Sequence, residues 1–139
     1  MTESRFDIGM KVRKEVLGSE YVEQAQARTS EFDADFQRYI TESAWGGVWA
    51  RPDLDRRTRS LVTIAILAAL GREELAVHLR GSQNIGVDPH EIAEVFLHVA
   101  VYAGIPAANS AFSTARKIFE ELEFIPEEAD PAMISQEDA

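Results

Sequence analysis

A short apolar stretch, residues 71–86 with the sequence GREELAVHLRGSQNIG, carries a carboxylate, an imidazole and a guanidinium within seven positions. Glu74 and His78 are four residues apart, so on a helix their side chains lie on one face, ~5–6 Å apart at Cβ. Arg80 points about 200° away from His78, so it can join them only near the helix end or across a partner surface. These residue types could exchange a proton and bind an anion. Spacing alone favours a simpler interpretation, in which Glu74 and His78 form an exposed pair that stabilises the helix by roughly 0.2–0.5 kcal/mol.

Two further groups of residues could take part in a site. The segment 44–52, AWGGVWARP, places Trp45, Trp49 and Arg51 around paired glycines and a proline, which predicts a loop. Tryptophans tend to lie at packed or binding surfaces, so this loop is either pinned by aromatic anchors or forms the wall of a pocket. On a later helix, His98 and Tyr102 follow Glu94 at spacings of four and form a second polar line.

The amino-acid composition excludes several classes of function. The 139 residues, 45% hydrophobic and 27% charged, are typical of one soluble globular domain. The sequence has no cysteine, which excludes thiol chemistry and disulfides. A formal net charge of −10 disfavours nucleic acid and anionic membranes as partners. We find no signal-peptide pattern, and the longest apolar run, residues 61–70, is shorter than the ~20 residues that a membrane span needs. We therefore expect a cytoplasmic protein.

Helical periodicity with helix-ending residues predicts the elements that position these groups. We expect helices at 9–18, 20–28 (capped by Ser19), 31–45, 56–70 (capped by Asp53 or Asp55), 72–83, 89–103 (capped by Asp88 before Pro89) and 106–123. Residues 1–8 and 126–139 are expected to be loose ends. Because no segment shows strand alternation, the fold class is predicted to be an all-α bundle of six or seven helices in a single domain, 1–139.

Three apolar patterns predict the core. The aromatic spacing in residues 31–45 favours a buried face made of Phe32, Phe36, Tyr39 and Ile40. The run LVTIAILAAL is apolar all round, so we expect it to be buried on every side, by other helices or by a second subunit. The last two long helices place apolar residues on one face each: Ile92, Val95, Phe96, Val99 and Ala103, then Ala108, Ala111, Phe112, Ala115, Ile118, Phe119 and Leu122.

Taken together, three blocks resemble one family. The segments AWGGVWARPDLDRRTRSLVTIAILAAL, ELAVHLRGSQNIGV and EIAEVFLHVAVYAGIPAANSAF, with the lead-in ending EVLG, are similar to the γ-carboxymuconolactone decarboxylase family of the alkylhydroperoxidase D-like superfamily. The peroxidase branch of that superfamily carries two cysteines before the histidine of this helix. Gly71 and Glu74 stand at those positions here, which favours the decarboxylase branch.

The resemblance implies decarboxylation of 4-carboxymuconolactone to 3-oxoadipate enol-lactone and CO2, a step of protocatechuate degradation in the β-ketoadipate pathway. The conjugated lactone accepts the electrons, so no cofactor is expected. On this basis His78 donates a proton or a hydrogen bond to the dienolate, and Glu74 either orients His78 and raises its pKa or transfers the proton itself. Arg80 or Arg51 holds a carboxylate.

Several alternatives and secondary expectations accompany this interpretation. Trp45, Trp49, His98 and Tyr102 are further candidates for substrate contacts. The same fold could instead act on a different lactone acid or serve as a non-catalytic binding or assembly subunit. No metal is expected, because His78, His90 and His98 lack a recognised ligand spacing. The small-molecule partner is a lactone carboxylate, and the resemblance implies a closed homo-oligomer, a hexamer.

Overall fold

The computed structural model describes residues 3–125, and all the regular structure in that part of the chain is helical. The α-helices are α1 Arg5–Leu17, α2 Ser19–Arg28, α3 Ala34–Ile40, α4 Arg56–Leu70, α5 Leu75–Gly81, α6 Pro89–Ala103 and α7 Ile105–Glu121. A π-helix, Thr41–Trp49, continues α3, and a 3₁₀ helix, Ser82–Ile85, continues α5. The predicted all-α fold class is confirmed. None of the helices within the described range combines the length and apolar character needed to cross a membrane.

The predicted helix boundaries are mostly close to the observed ones. Asp55 caps α4 by accepting a hydrogen bond from the Thr58 N–H, and Asp88 and Glu91 form a capping box at the start of α6. The loose end predicted for residues 1–8 is wrong from Arg5 onwards, since Ser4 caps α1 there. Ser19 is the first residue of α2 and not its cap. The second predicted loose end, 126–139, lies outside the described residues.

Residues 31–45 depart from their predicted role in the core. Phe32 is 99% exposed, and Phe36 and Tyr39 are also exposed. The helix begins at Ala34 instead of residue 31. The prediction fails because helical periodicity shows that an apolar face needs a partner, without showing that the partner lies in the same chain.

The core has two parts. The larger one joins α4, α5, α6 and α7 around Ile64, Leu79, Phe96 and Phe119. The smaller one joins α1 to the π-helix through Val12, Val16, Trp45 and Trp49. The buried positions predicted on α6 and α7 largely match, although Ala103 is exposed.

Helix α4 is not buried on every side. It faces the core through Ser60, Ile64 and Ala68. The side chains of Val62, Ile66 and Leu70 are exposed. Within the described chain, the other helices therefore cover only one face of this apolar helix.

Two glycines allow α1 to contact the elements that carry the tryptophans and His78. A Cβ atom at Gly46 would lie 2.4 Å from the Arg5 carbonyl oxygen, and one at Gly81 would lie 2.7 Å from the Val16 carbonyl oxygen. Both distances are far shorter than a van der Waals contact, so only glycine fits. These contacts fix the π-helix and α5 against the same helix, α1.

Candidate functional site

The segment predicted as a loop over the site is a π-helix that extends to Trp49. Its wider hydrogen bonding is seen where the Ala50 N–H donates to the Trp45 carbonyl at 3.0 Å. The loop prediction is wrong because the glycines of this segment permit close helix packing, as at Gly46, instead of breaking the helix. Short π-helices are frequent at functional sites, since they redirect side chains relative to the neighbouring turns.

The π-helix presents its two tryptophans as a stacked pair. The ring centroids of Trp45 and Trp49 are 4.9 Å apart with an interplanar angle of 28°. Both side chains are buried, at 6% and 9% exposed. Offset stacking of this kind favours a rigid aromatic surface.

His78 packs against this surface. Its ring centroid lies 6.2 Å from Trp45 and 6.1 Å from Trp49, in each case with an interplanar angle of 15°. Its Nδ1 atom is buried and has no hydrogen-bond partner among the described residues. Contact with the indole rings therefore holds the imidazole. We refer to Trp45, Trp49 and His78 as the aromatic cluster.

Burial in the aromatic cluster controls the charge of His78. Desolvation lowers the pKa of His78 from 6.5 to about 4, against a smaller opposing effect of Glu74. The imidazole is therefore neutral near pH 7. The sequence-based expectation that Glu74 raises the pKa of His78 has the correct direction for that pair, but the net shift is the opposite because burial dominates.

Glu74 lies immediately before α5, where its backbone carbonyl accepts a hydrogen bond from the His78 N–H at 3.3 Å. Its side chain is exposed. Within residues 3–125 no hydrogen bond joins the Glu74 carboxylate to the His78 ring. The structure thus places Glu74 one turn from His78, as predicted, in a position where the two interact through charge and not through direct contact.

The two candidate arginines lie in different surroundings. Arg80 is exposed and its guanidinium pairs with Glu121 of α7, at 2.9 Å. Arg51 follows the π-helix two residues after Trp49 and pairs with Asp53 at 3.3 Å, also at the surface. The carbonyl of Arg51 accepts a hydrogen bond from Arg59, which ties this turn to α4. Arg51 follows Trp49 by two residues and Arg80 follows His78 by two, so proximity in the chain does not distinguish the two arginines.

His98 and Tyr102 form a separate feature. Their rings lie 4.9 Å apart on the exposed side of α6. Together they line a groove of about 460 Å³ between α4 and α6 whose other lining residues are mostly apolar and do not include His78 or either tryptophan. Within the described chain the structure therefore does not bring this pair to the aromatic cluster.

Sequence reasoning did not single out one buried charged residue, Arg13. The signal was available, since Gly9, Val12, Arg13 and Val16 share one helical face of α1 and all four are buried. Because α1 was expected to serve only as an N-terminal connection, the buried position of Arg13 on it was not predicted.

Comparisons with known proteins agree with this architecture. The Carboxymuconolactone decarboxylase family pattern matches residues 34–117, which include the π-helix, α4, α5 and α6. A 4-carboxymuconolactone decarboxylase from Acinetobacter baylyi is 48% identical over 129 residues, covering 92% of this chain and 96% of the relative. A nitrosuccinic acid decarboxylase from Metarhizium robertsii is 47% identical over 120 residues, covering 84% of this chain and 82% of the relative. The chain belongs to the carboxymuconolactone decarboxylase family.

Proposed function

We propose that this protein is a carboxy-lyase that converts 4-carboxymuconolactone to 3-oxoadipate enol-lactone and CO2 in protocatechuate degradation. The observation that carries the proposal is the 48% identity to the Acinetobacter decarboxylase along nearly the whole of both chains. The aromatic cluster supplies a partly buried, neutral imidazole inside the matched region, which suits the chemistry of this reaction.

The substrate provides its own electron sink. When the carboxylate on the γ-carbon leaves as CO2, the electron pair delocalises through the ring double bond to the lactone carbonyl. The enzyme must then stabilise the dienolate oxygen and deliver a proton to the α-carbon. No cofactor is needed for either task, and stabilisation of the oxyanion is the larger contribution.

The low pKa of His78 supports a proposed division of roles between His78 and Glu74. A neutral imidazole donates a hydrogen bond to a developing oxyanion without first losing a proton to solvent, so we assign this role to His78. Glu74, exposed one turn earlier, is then available to take a proton from water and relay it to the α-carbon.

We assign substrate carboxylate binding to Arg51. Its pair with Asp53 is exposed and long, at 3.3 Å, so a substrate carboxylate can replace it at little cost. Arg80 also forms an exposed pair, with Glu121 at 2.9 Å, but it lies on a different face of α5 from His78. Arg51→Gln is therefore expected to raise KM with a smaller effect on kcat.

A second candidate substrate is nitrosuccinic acid, which the 47% identical Metarhizium relative suggests. Loss of CO2 from the carbon that bears the nitro group places the electron pair on the nitro oxygens, so this dicarboxylate also contains its own sink. The same hydrogen-bond donor and carboxylate anchor would serve both compounds.

Parallel assays of CO2 release distinguish these possibilities. The purified protein is incubated with 4-carboxymuconolactone and, separately, with nitrosuccinic acid, and kcat/KM is compared. A higher value for the lactone supports the proposal, and a higher value for nitrosuccinic acid supports the second candidate. Failure to decarboxylate either compound would support a different acid substrate or a non-catalytic binding or assembly role.

We further propose that the protein acts as a closed homo-oligomer, a hexamer by resemblance to the family. The support is the exposed apolar surface on α3, α4 and α6, which includes Phe36, Ile66 and Val101. Light scattering coupled to size exclusion tests the assembly, and Val101→Asp is expected to dissociate it. We place the activity in the cytoplasm, since a chain without cysteine gains no disulfides from an oxidising compartment.

A further inference from the structure

A buried arginine on α1 lies outside the aromatic cluster. Arg13 is 7% exposed. Its only side-chain hydrogen bond within residues 3–125 is a long one, from Nη1 to Oε1 of Gln37 at 3.5 Å, and its buried Nε has no partner there. None of the ion pairs formed in that part of the chain includes it.

This arrangement is unfavourable for the isolated chain. A buried charge without an acidic partner loses its hydration and gains little in return. Burial lowers the pKa of Arg13, with Tyr21 opposing the shift, yet a guanidinium stays protonated at any physiological pH. Its planar fork of N–H donors matches a carboxylate, which accepts two parallel hydrogen bonds.

Arg13 borders a cavity of about 340 Å³ between α1, α2 and α3. Near Gln37, the wall is polar and includes Thr41, whose hydroxyl donates to the Gln37 carbonyl and leaves its oxygen free to accept. Phe6 and Met10 supply an apolar wall. The cavity thus combines a buried cation with an apolar surface.

The other charges at this cavity constrain its ligand. Asp35 and Arg38 also line it, and Arg38 pairs with Glu42 at 3.1 Å while its guanidinium lies 5.9 Å from the Phe6 ring centroid. The charges of Arg38 and Glu42 offset each other, whereas Asp35 is acidic and repels a second negative group on the ligand. One carboxylate attached to an uncharged apolar body fits these charges best.

We propose that the cavity beside Arg13 is a second ligand site that binds a small monocarboxylate with an apolar or aromatic body. The carboxylate pairs with the Arg13 guanidinium, and the body packs against Phe6 and Met10. The residues that line this cavity do not include Trp45, Trp49 or His78. The proposal does not rest on the substrate assigned to the enzyme.

The first test observes Arg13 directly by using benzoate as the probe. The side-chain Nε–Hε resonance of Arg13 is identified by its loss in Arg13→Lys, and the wild-type protein is titrated with benzoate and with uncharged benzamide. We expect a saturable shift with benzoate and none with benzamide. Absence of a shift, or an equal response to benzamide, would overturn the proposal.

The second test fills the cavity without changing the arginine. Ala34→Trp places an indole at a residue that lines the cavity, whereas Ala27→Trp adds the same ring at an exposed position of α2 that does not line it. We expect the first variant to weaken the benzoate response of the Arg13 resonance by roughly tenfold or more and the second to retain it. Equal responses in both variants would contradict the assigned site.

The third test separates a free carboxylate from a side-chain carboxylate of a second copy. Arg13→Met removes the charge and keeps most of the volume, and its Tm without benzoate is expected to equal or exceed that of the wild type. Benzoate is expected to raise the Tm of the wild type more than that of the variant. If Arg13→Met instead dissociates the oligomer and lowers Tm, a neighbouring chain occupies the cavity and the small-molecule site is refuted.

Discussion

The fold shields two basic side chains from water, Arg13 on α1 and the partly buried His78 on α5. The two groups respond to the loss of hydration in different ways. His78 can release its proton, and desolvation between the indole rings lowers its pKa to about 4. Arg13 cannot release its proton, so it keeps its charge with only a long hydrogen bond to Gln37. One environment makes a neutral hydrogen-bond donor, and the other makes a site for an anion.

The difference follows from what surrounds each group. The aromatic cluster is apolar and close-packed, which suits a neutral ring. The walls around Arg13 include Thr41 and Gln37 beside an open cavity, which suits a charged group with a ligand. Burial alone therefore does not predict function, because the outcome depends on whether the group can change its charge state.

The largest expected effect concerns the chemical role of the buried imidazole. His78→Gln is expected to lower kcat for CO2 release by roughly 10²–10³-fold, the usual cost of losing a positioned hydrogen-bond donor to an oxyanion. His90→Gln, on the exposed start of α6, is the matched control and is expected to retain the wild-type rate. Circular dichroism confirms that both variants are folded. A folded His78→Gln protein with near-wild-type kcat would remove His78 from the mechanism.

Removal of the Trp49 indole should expose His78 to water and return its pKa towards the value of a solvated imidazole. Trp49→Ala is expected to lower the free energy of unfolding by about 3 kcal/mol, since a buried indole is lost. Water then reaches His78, so its pKa rises towards 6.5. Urea unfolding and an NMR titration of the His78 ring measure the two effects. Trp49→Phe, which retains an aromatic wall, should change both much less; an unchanged His78 pKa in Trp49→Ala would show that these indoles do not cause the shift.

The pH dependence of stability distinguishes the two buried bases. Because the pKa of His78 is lower in the folded chain than in the unfolded chain, the unfolded state binds one more proton between pH 6.5 and about 4. The wild type should therefore lose about 3 kcal/mol of unfolding free energy as the pH falls through this range. Arg13 contributes no such dependence, since it stays charged in both states.

Comparison of the wild type with His78→Gln isolates this loss from the titration of carboxylates such as Asp55. Denaturant unfolding of both proteins is measured across the same pH range. The unfolding free energy of the wild type minus that of His78→Gln should fall by about 3 kcal/mol between pH 6.5 and about pH 4. A difference that does not vary with pH would mean that His78 has an ordinary pKa in the folded protein.

Much of the fold was predictable because it depends on local chemistry. The cap at Asp55, the capping box at Asp88 and the buried faces of α6 and α7 follow from spacing within a few residues. The π-helix was not predictable in this way. Gly46 suggested a loop, and its actual role, close contact with Arg5, depends on a residue far away in the sequence.

The site was predictable only in part for the same reason. The spacing of Glu74 and His78 placed them one turn apart, and the resemblance to the family indicated why that mattered. The low pKa of His78 depends on burial against Trp45 and Trp49, which no local pattern encodes. The separation of His98 and Tyr102 from the cluster likewise depends on how α6 packs against α4.

The smallest expected effect concerns Arg80, the basic side chain that the fold leaves in solvent two residues after His78. Its pair with Glu121 is exposed on both sides, so water and salt screen the attraction. Arg80→Gln and Glu121→Gln, alone and together, complete a double-mutant cycle by urea unfolding. The coupling free energy is expected to lie between about 0 and 1 kcal/mol and to fall in high salt. A coupling free energy well above this range that does not fall in high salt would contradict this prediction. It would mean that a neighbouring subunit shields Arg80 from water, as the fold shields His78 and Arg13.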